Sequence, residues 1–289
     1  MALVAGTNGK GSTAALLAGM ATTAGYRTGL YTSPHLESVE ERLRIDGRAV
    51  STGRLASTVA TIVASAENRL GYLPTYFETL TAAACLWFAE ESVELAVLEV
   101  GMGGRLDATN GTDPVLSLIT EIGLDHQDYL GPTLAKIGRE KAGIMRAECD
   151  AIAWVEKPEA RAAIQQVADQ IGARLVWGPD VAAIEPIGKP TRWGQTFELS
   201  TPGWRGSVTL PLVGRHQGEN LALAALGAEA LARQGLEHLD AEAIADGAAR
   251  TRWPGRLEWV EPAGEKPILL DVAHNPDGAK TLELSLIHI

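Results

Sequence analysis

The sequence predicts an α/β fold: a parallel sheet covered by helices on both faces, followed by a small antiparallel appendage. Two observations predict the sheet. Short, nearly continuous apolar runs alternate with longer segments whose apolar residues recur every three and four positions, as buried strands alternate with amphipathic helices. The first of those runs leads through a glycine-rich turn directly into a helix, which is how a βα unit begins. A third observation predicts the appendage, because after about Trp177 the texture changes to short alternating runs rich in Gly, Pro and Thr.

Taken in chain order, residues 2–5 (ALVA) form the first strand, 6–9 (GTNG) a turn and 11–24 a helix. Further strands are expected at TGLYT (28–32), ELAVLEV (94–100), VLSLIT (115–120) and AIAWV (151–155). The weakest apolar signal is in TGLYT, which rests on Leu30 and Tyr31. Helical spacing covers 51–70, 77–91, 133–146 and 158–171. The appendage spans 178–212, a helix returns over 216–235, and a new strand opens in ILLDVAHNP (268–276). Between them, 262–267 has the Pro/Gly/Glu/Lys composition of a hinge. The expected division is a nucleotide-binding domain over 1–261, a linker over 262–267, and the beginning of a second α/β domain over 268–289.

Composition removes several function classes. The formal charge is −11 and the basic residues are scattered, so no Lys/Arg run tracks a nucleic-acid backbone and an anionic ligand must be held locally. No apolar stretch approaches the ~20 residues a membrane helix needs, and no basic region with an apolar core and cleavage site opens the chain. The two cysteines, Cys85 and Cys149, lie in no C-x-x-C or Cys/His cluster, as suits a reducing cytoplasm. Cys85, within AAACLWF, is expected to be a buried structural thiol.

Three constellations carry the chemistry. VAGTNGKGSTAAL (4–16) misses the common pattern G-x-x-x-x-G-K-[ST], with Val4 at the first glycine and Gly11 at the hydroxyl position. Its strand, glycine loop and helix still aim backbone N–H groups at an anion. Lys10 would then reach terminal phosphates, and Ser12 or Thr13 would supply a hydroxyl; a plain tight turn is the alternative. In LEVGMGGRLDATN (98–110), Glu99 ends an apolar strand at the edge where open α/β sheets bind ligands. A carboxylate there needs either a structural partner or a cation such as magnesium. In EIGLDHQDYLGPTLAKIGREKAGIM (121–145), His126 stands at the same sheet edge and Lys141 on the next helix; taken singly, each also suits a surface position.

Together the motifs resemble the Mur ligase superfamily, and within it the folylpolyglutamate synthase/dihydrofolate synthase family. GTNGKGS (6–12), YTSPHL (31–36), TYFE (75–78), LEVGMGGRLDATN, LDHQDYLG (124–131), GREKAGI (138–144), PGR (254–256) and DVAHNP (271–276) occur in that family's order across nearly the whole chain. The family's own loop is a GTxGKGS/T variant, which accounts for Val4 and Gly11. The resemblance implies a P-loop Mur-ligase-type ATPase domain. It also implies ATP-dependent ligation of L-glutamate to dihydropteroate, to reduced folates or to both, through an acyl phosphate. Carried over by position, Gly9, Lys10, Gly11 and Ser12 hold the ATP phosphates, and Asn220, Arg256 and Asp271 contact the nucleotide, with His274 close by. Ser33, Glu99, His126 and Lys141 match magnesium positions, with two metal sites and a carbamylated Lys141. Lys10, Glu99, His126 and Lys141 form the catalytic set. Thr75, Tyr76, Phe77 and Glu78, with Arg105, Leu106 and Asp107, match the pterin-receiving region, where Phe77 could stack on the ring. A cytoplasmic monomer with small-molecule substrates, and neither nucleic acid nor membrane as partner, is implied.

Against the family pattern, Met1 lies only five residues before Gly6, and the chain stops thirteen residues after Pro276 in TLELSLIHI, which looks more like an out-of-frame end than a family helix. The expectation is a chain truncated at both ends, with part of an ATP site and little or no ligase activity of its own. Two other classes stay in view. One is a Mur-type ligase acting on a peptidoglycan precursor or polymer, against which TYFE and GGRLDATN argue. The other is a non-catalytic P-loop protein binding GTP, for which D-x-x-G occurs at 128–131 but [NT]KxD does not.

Overall fold

The structure is a computed structural model and describes residues 1–262 and 266–286. It opens with β1 (Ala2–Ala5), α1 (Lys10–Thr23) and β2 (Thr28–Tyr31), followed by a short hairpin of β3 (Leu43–Ile45) and β4 (Arg48–Ala49). Next come α2 (Thr52–Leu70), α3 (Tyr76–Glu90), β5 (Leu95–Glu99), β6 (Leu116–Ile119), the single turn α4 (Gln127–Leu130) and α5 (Leu134–Ala142). Beyond them lie β7 (Asp150–Ala153), α6 (Pro158–Ile171), β8 (Arg174–Trp177) and the single turn α7 (Gly178–Val181). The main sheet runs β4-β3-β2-β5-β1-β6-β7-β8, with the six strands from β2 to β8 parallel and only β3 and β4 antiparallel at one edge.

Alternation along the strands builds two cores. Ala2 and Val4 face a cluster formed with α1 and with α8 (Arg215–Arg233), whereas Leu3 and Ala5 face a second cluster with α3, α5 and α6. Successive side chains of a strand point to opposite faces, so an all-apolar strand requires a helical layer on each side. Every residue of β1, β2, β5 and β6 is buried. The sheet order places β1 between β5 and β6, so the loops leaving these three strands meet at one edge, where open α/β sheets hold ligands.

The appendage is the three-stranded antiparallel sheet β9 (Ala183–Thr191), β10 (Gly194–Ser200) and β11 (Arg205–Leu210), whose Phe197, Leu199, Val208 and Leu210 join the first core. α8 and then α9 (Ala241–Arg250) pack on α1. The chain continues through β12 (Glu258–Val260), pairs it antiparallel with β13 (Ile268–Leu270), and ends its described course in α10 (Pro276–Leu286).

Several expectations need adjustment. TGLYT is a true strand, held between parallel β5 and antiparallel β3. The helix expected over 133–146 stops at Ala142, where the chain tightens to i→i−3 bonds: the Ile144 N–H reaches Lys141 O at 3.4 Å and the Met145 N–H reaches Ala142 O at 3.0 Å. Cys85 is half-buried rather than buried, and that partial burial pushes its thiol pKa up. In ILLDVAHNP only Ile268–Leu270 is strand. The tail through Leu286 is helical, started by the Asn275 carboxamide oxygen accepting from the Gly278 N–H at 2.8 Å. Of the expected hinge at 262–267, residues 263–265 lie outside the described residues.

Candidate active site

The loop after β1 is shaped by two glycines. At Gly6 (φ 148°) the side chain of Thr120 fills the space a Cβ would need, and Gly9 (φ 89°) turns left-handed against the Asn220 carboxamide. The loop is stitched to the segment after β6: the Thr7 N–H donates to Glu121 O at 3.0 Å, and the Thr7 hydroxyl donates to Gly123 O at 3.1 Å. α1 then starts at Lys10 without a side-chain cap, so its first-turn N–H groups are left for a ligand. Lys10 Nζ folds back on Thr7 O at 3.1 Å. The hydroxyl of Ser12 is buried and has no partner among the described residues.

Glu99 ends β5, in register with Val4, and its carboxylate is buried at 5% exposure. Glu99 Oε2 accepts the Ser33 backbone N–H at 3.0 Å. Burial pushes its carboxyl pKa up, against the opposing pull of the cations Lys10, Arg256 and Arg42. Lys141 projects from α5 and is also buried, with Nζ donating to Gly6 O at 2.6 Å. Burial, reinforced by the positive Lys10, lowers its pKa to about 7 against the attraction of Asp125 and Asp107. His126 sits in the left-handed region (φ 47°) at the start of α4, its imidazole exposed, and its N–H is held by Asp125 Oδ1 at 2.8 Å.

On the far wall, Asp271 accepts the N–H groups of Leu257 at 3.1 Å and Ala273 at 2.8 Å, which fixes its carboxylate beside Arg256. Burial lowers the pKa of the Arg256 guanidinium, while Glu99 and Asp271 raise it. Asn220, on α8, accepts the Thr13 hydroxyl at 3.4 Å and donates to Gln217 at 3.0 Å.

The TYFE segment forms a capping box at the start of α3. Glu78 Oε2 accepts the Thr75 N–H at 2.7 Å, and the Glu78 N–H returns to the Thr75 hydroxyl at 3.3 Å. These bonds hold the Glu78 carboxyl below its ordinary range. Tyr76 packs under the Arg42 guanidinium, 5.4 Å from its ring centroid, and stays outside the cavity. The Phe77 ring occupies the space above Gly101, at 6.0 Å from the Tyr31 ring. Arg105 is engaged by Glu140 at 3.0 Å, Asp107 caps the turn that follows it by accepting the Thr109 N–H at 3.0 Å, and Leu106 is 79% exposed.

All the expected site residues except Tyr76 line one cavity of about 1300 Å³ at the sheet edge. Ser33 meets Glu99 through its backbone, and among the described residues no group of three or more His, Cys, Asp or Glu could hold a metal. The unpartnered hydroxyl of Ser12 and the buried carboxylate of Glu99 both line the cavity and are oxygen donors of the kind a hard cation takes. Sequence reasoning missed Asn8, Asp125 and Asn275, which are joined by contacts distant in the chain, and Gln217, whose carboxamide oxygen accepts from Asn220 one helical turn on.

The Mur ligase middle domain model matches residues 4–228. The chain is 36% identical to folylpolyglutamate synthase of Lacticaseibacillus casei over 98% of its own length and 67% of that protein's. The chain belongs to the folylpolyglutamate synthase/dihydrofolate synthase family of the Mur ligases. It is also 37% identical to the dihydrofolate synthase/folylpolyglutamate synthase of Bacillus subtilis, over 96% of this chain and 65% of the relative. A solved Mycobacterium tuberculosis folylpolyglutamate synthase complexed with ADP superposes with a TM-score of 0.90 at 36% identity, over 99% of this chain and 65% of that one. The chain thus spans about two thirds of the length of these relatives, and about a third of the longer bifunctional ones. Among the described residues of this family member, no helix is long and apolar enough to cross a membrane.

Proposed function

We propose that this chain carries the ATP-binding part of a ligase that joins L-glutamate to dihydropteroate, to reduced folates, or to both. The observation that supports it best is the convergence of the glycine loop, Glu99, Lys141, Phe77 and Asp271 on a single cavity. In this reading residues 1–261 form the nucleotide domain and 268–289 begin the second. Gly9, Lys10, Gly11 and Ser12 bind the phosphates through backbone N–H groups and one ammonium. Asn220, Arg256 and Asp271 bind the rest of the nucleotide. Phe77 and the 105–107 loop receive the pterin, with Thr75 and Glu78 shaping that wall by capping α3.

The reaction requires an activated acyl group because a carboxylate is a poor electrophile. A substrate carboxylate oxygen attacks the γ-phosphorus, the bond to ADP breaks, and the acyl phosphate forms. The glutamate amino nitrogen then attacks its carbonyl carbon, the amine proton is lost, and phosphate leaves. Lys10 and the α1 N-terminus stabilise the charge that develops on phosphate oxygens. Magnesium, which Ser12, Ser33, Glu99, His126 and a carbamylated Lys141 would hold, would neutralise the phosphates. Lys141 suits carbamylation because its neutral amine is accessible near pH 7: Nζ adds to the carbon of carbon dioxide, loses a proton, and becomes an anion.

The test is glutamate-dependent ADP release with dihydropteroate and tetrahydrofolate in parallel, for this chain and for the chain extended by its flanking coding sequence. Release by the extended chain alone is expected. No release with either pterin in the extended chain would refute the substrate reading.

A further inference from the structure

At the start of α10 the carboxamide of Asn275 is 8% exposed, and all of its hydrogen-bonding capacity is engaged. Its Nδ2 donates to Asn8 Oδ1 at 2.9 Å and to Asp125 Oδ2 at 3.0 Å. Its Oδ1 accepts from Asn8 Nδ2 at 3.3 Å and from the Gly278 N–H at 2.8 Å. Asn8 is in the glycine loop, and Asp125 holds the backbone of His126 at 2.8 Å. One side chain therefore joins three segments, across 267 residues to the loop and 150 to Asp125. Neither Asp nor Leu could replace it: the first lacks both donors, and the second would leave Asn8 unpaired in a part-buried position. Beside this junction a separate ion pair docks α10, with Lys157 Nζ 2.9 Å from Asp277 Oδ2.

We propose that Asn275 is a positioning residue whose bonds to Asn8 and Asp125 lock the phosphate-binding loop and the His126 loop together, so that the grip on phosphate depends on this junction rather than on the docking of α10 as a whole. This rests on the nucleotide reading of the loop. Asn275 itself has no hydrogen-bonding capacity left for a ligand, so it acts through Asn8 and Asp125.

The test combines hydrogen exchange on the unliganded chain with calorimetric titration of ADP, on wild type, Asn8→Ala, Asn275→Ala, the double variant and Asp277→Ala. Asn275→Ala should speed exchange of amides at 6–11 and 123–127 by about tenfold or more while β1 and β6 keep their protection. It should weaken ADP binding about tenfold, and the double variant should bind no worse than Asn275→Ala alone, because the Asn8 carboxamide acts through Asn275. Asp277→Ala breaks the docking ion pair but hydrogen-bonds to neither Asn8 nor Asp125, and should change affinity less than about threefold. Unchanged exchange, additive losses in the double variant, or an equal loss in Asp277→Ala would each overturn the positioning role. Should Asn275→Ala lose protection throughout the sheet, Asn8→Ala carries the same exchange test from the loop side. A wild type that binds no ADP, yet shows the exchange difference, overturns the nucleotide reading and supports the junction.

Discussion

Lys141 Nζ donates to the carbonyl oxygen of Gly6 at 2.6 Å, tying α5 to the entry of the glycine loop across 135 residues of chain. The same burial that makes this bond strong also lowers the ammonium's pKa to about 7, with Lys10 adding to the effect. At pH 8 most of the population carries the neutral amine, the form that adds carbon dioxide. Carbon-13 NMR in labelled bicarbonate at pH 8 should show a carbamate carbon that is missing in Lys141→Arg. In the chain extended by its flanking coding sequence, Lys141→Arg should lower turnover by about 100-fold or more, and wild-type-like turnover would refute the proposed carbamate.

Glu219, on α8, supplies a pH dependence separate from Lys10, Glu99, His126 and Lys141. Burial raises its pKa to about 7, with negative Glu156 and Glu121 adding and Arg215 opposing. Because the folded value lies above the unfolded one, the native state binds more protons between about pH 4.5 and 7, and stability falls as pH rises through that window. Glu219→Gln should therefore exceed wild type in stability at pH 8, on the order of 1–2 kcal/mol, with the difference gone below pH 4.5. Urea titrations at pH 4 and 8 measure it; an equal difference at both would contradict the assignment.

Gly9 combines a left-handed φ of 89° with close approach of the Asn220 carboxamide. Gly9→Ala should cost roughly 1–3 kcal/mol of stability and displace Asn220, weakening ADP binding more than tenfold. Calorimetry on the folded variant checks this, and unchanged affinity would show that the loop tolerates a Cβ.

Phe77 is the aromatic side chain that the capping box delivers to the cavity wall above Gly101. In the chain extended by its flanking coding sequence, Phe77→Ala should raise KM for the proposed pterin substrate about tenfold, as lost stacking does, while ADP affinity stays within about twofold. Equal losses for both ligands would place Phe77 in general packing instead.

The parts of the fold legible in sequence are those dominated by burial. β1, β5 and β6 read clearly because helices cover both of their faces. β3 and β4 did not, since Leu43–Ile45 and Arg48–Ala49 are only three and two residues long, too short to show a period even though Leu43 and Ile45 are buried. β8 was equally hidden: Arg174–Trp177 alternates between exposed and half-buried at the opposite edge. In the site, the loop and Glu99 were legible because strand ends and glycines leave local signatures. For Thr75 and Glu78, T-x-x-E before an apolar run is a capping signature, and both capping residues also line the cavity. The junction of Asn8, Asp125 and Asn275 had no local signal, because the bonds that join them span 150 and 267 residues.

The most direct test of the nucleotide site is a calorimetric titration of the chain with ADP and with GDP in magnesium buffer, repeated on Lys10→Ala. One saturable ADP site, weaker binding of GDP, and loss of about tenfold or more in Lys10→Ala are the expected results. No ADP binding by the folded chain, or undiminished binding by Lys10→Ala, would contradict a phosphate site in this loop.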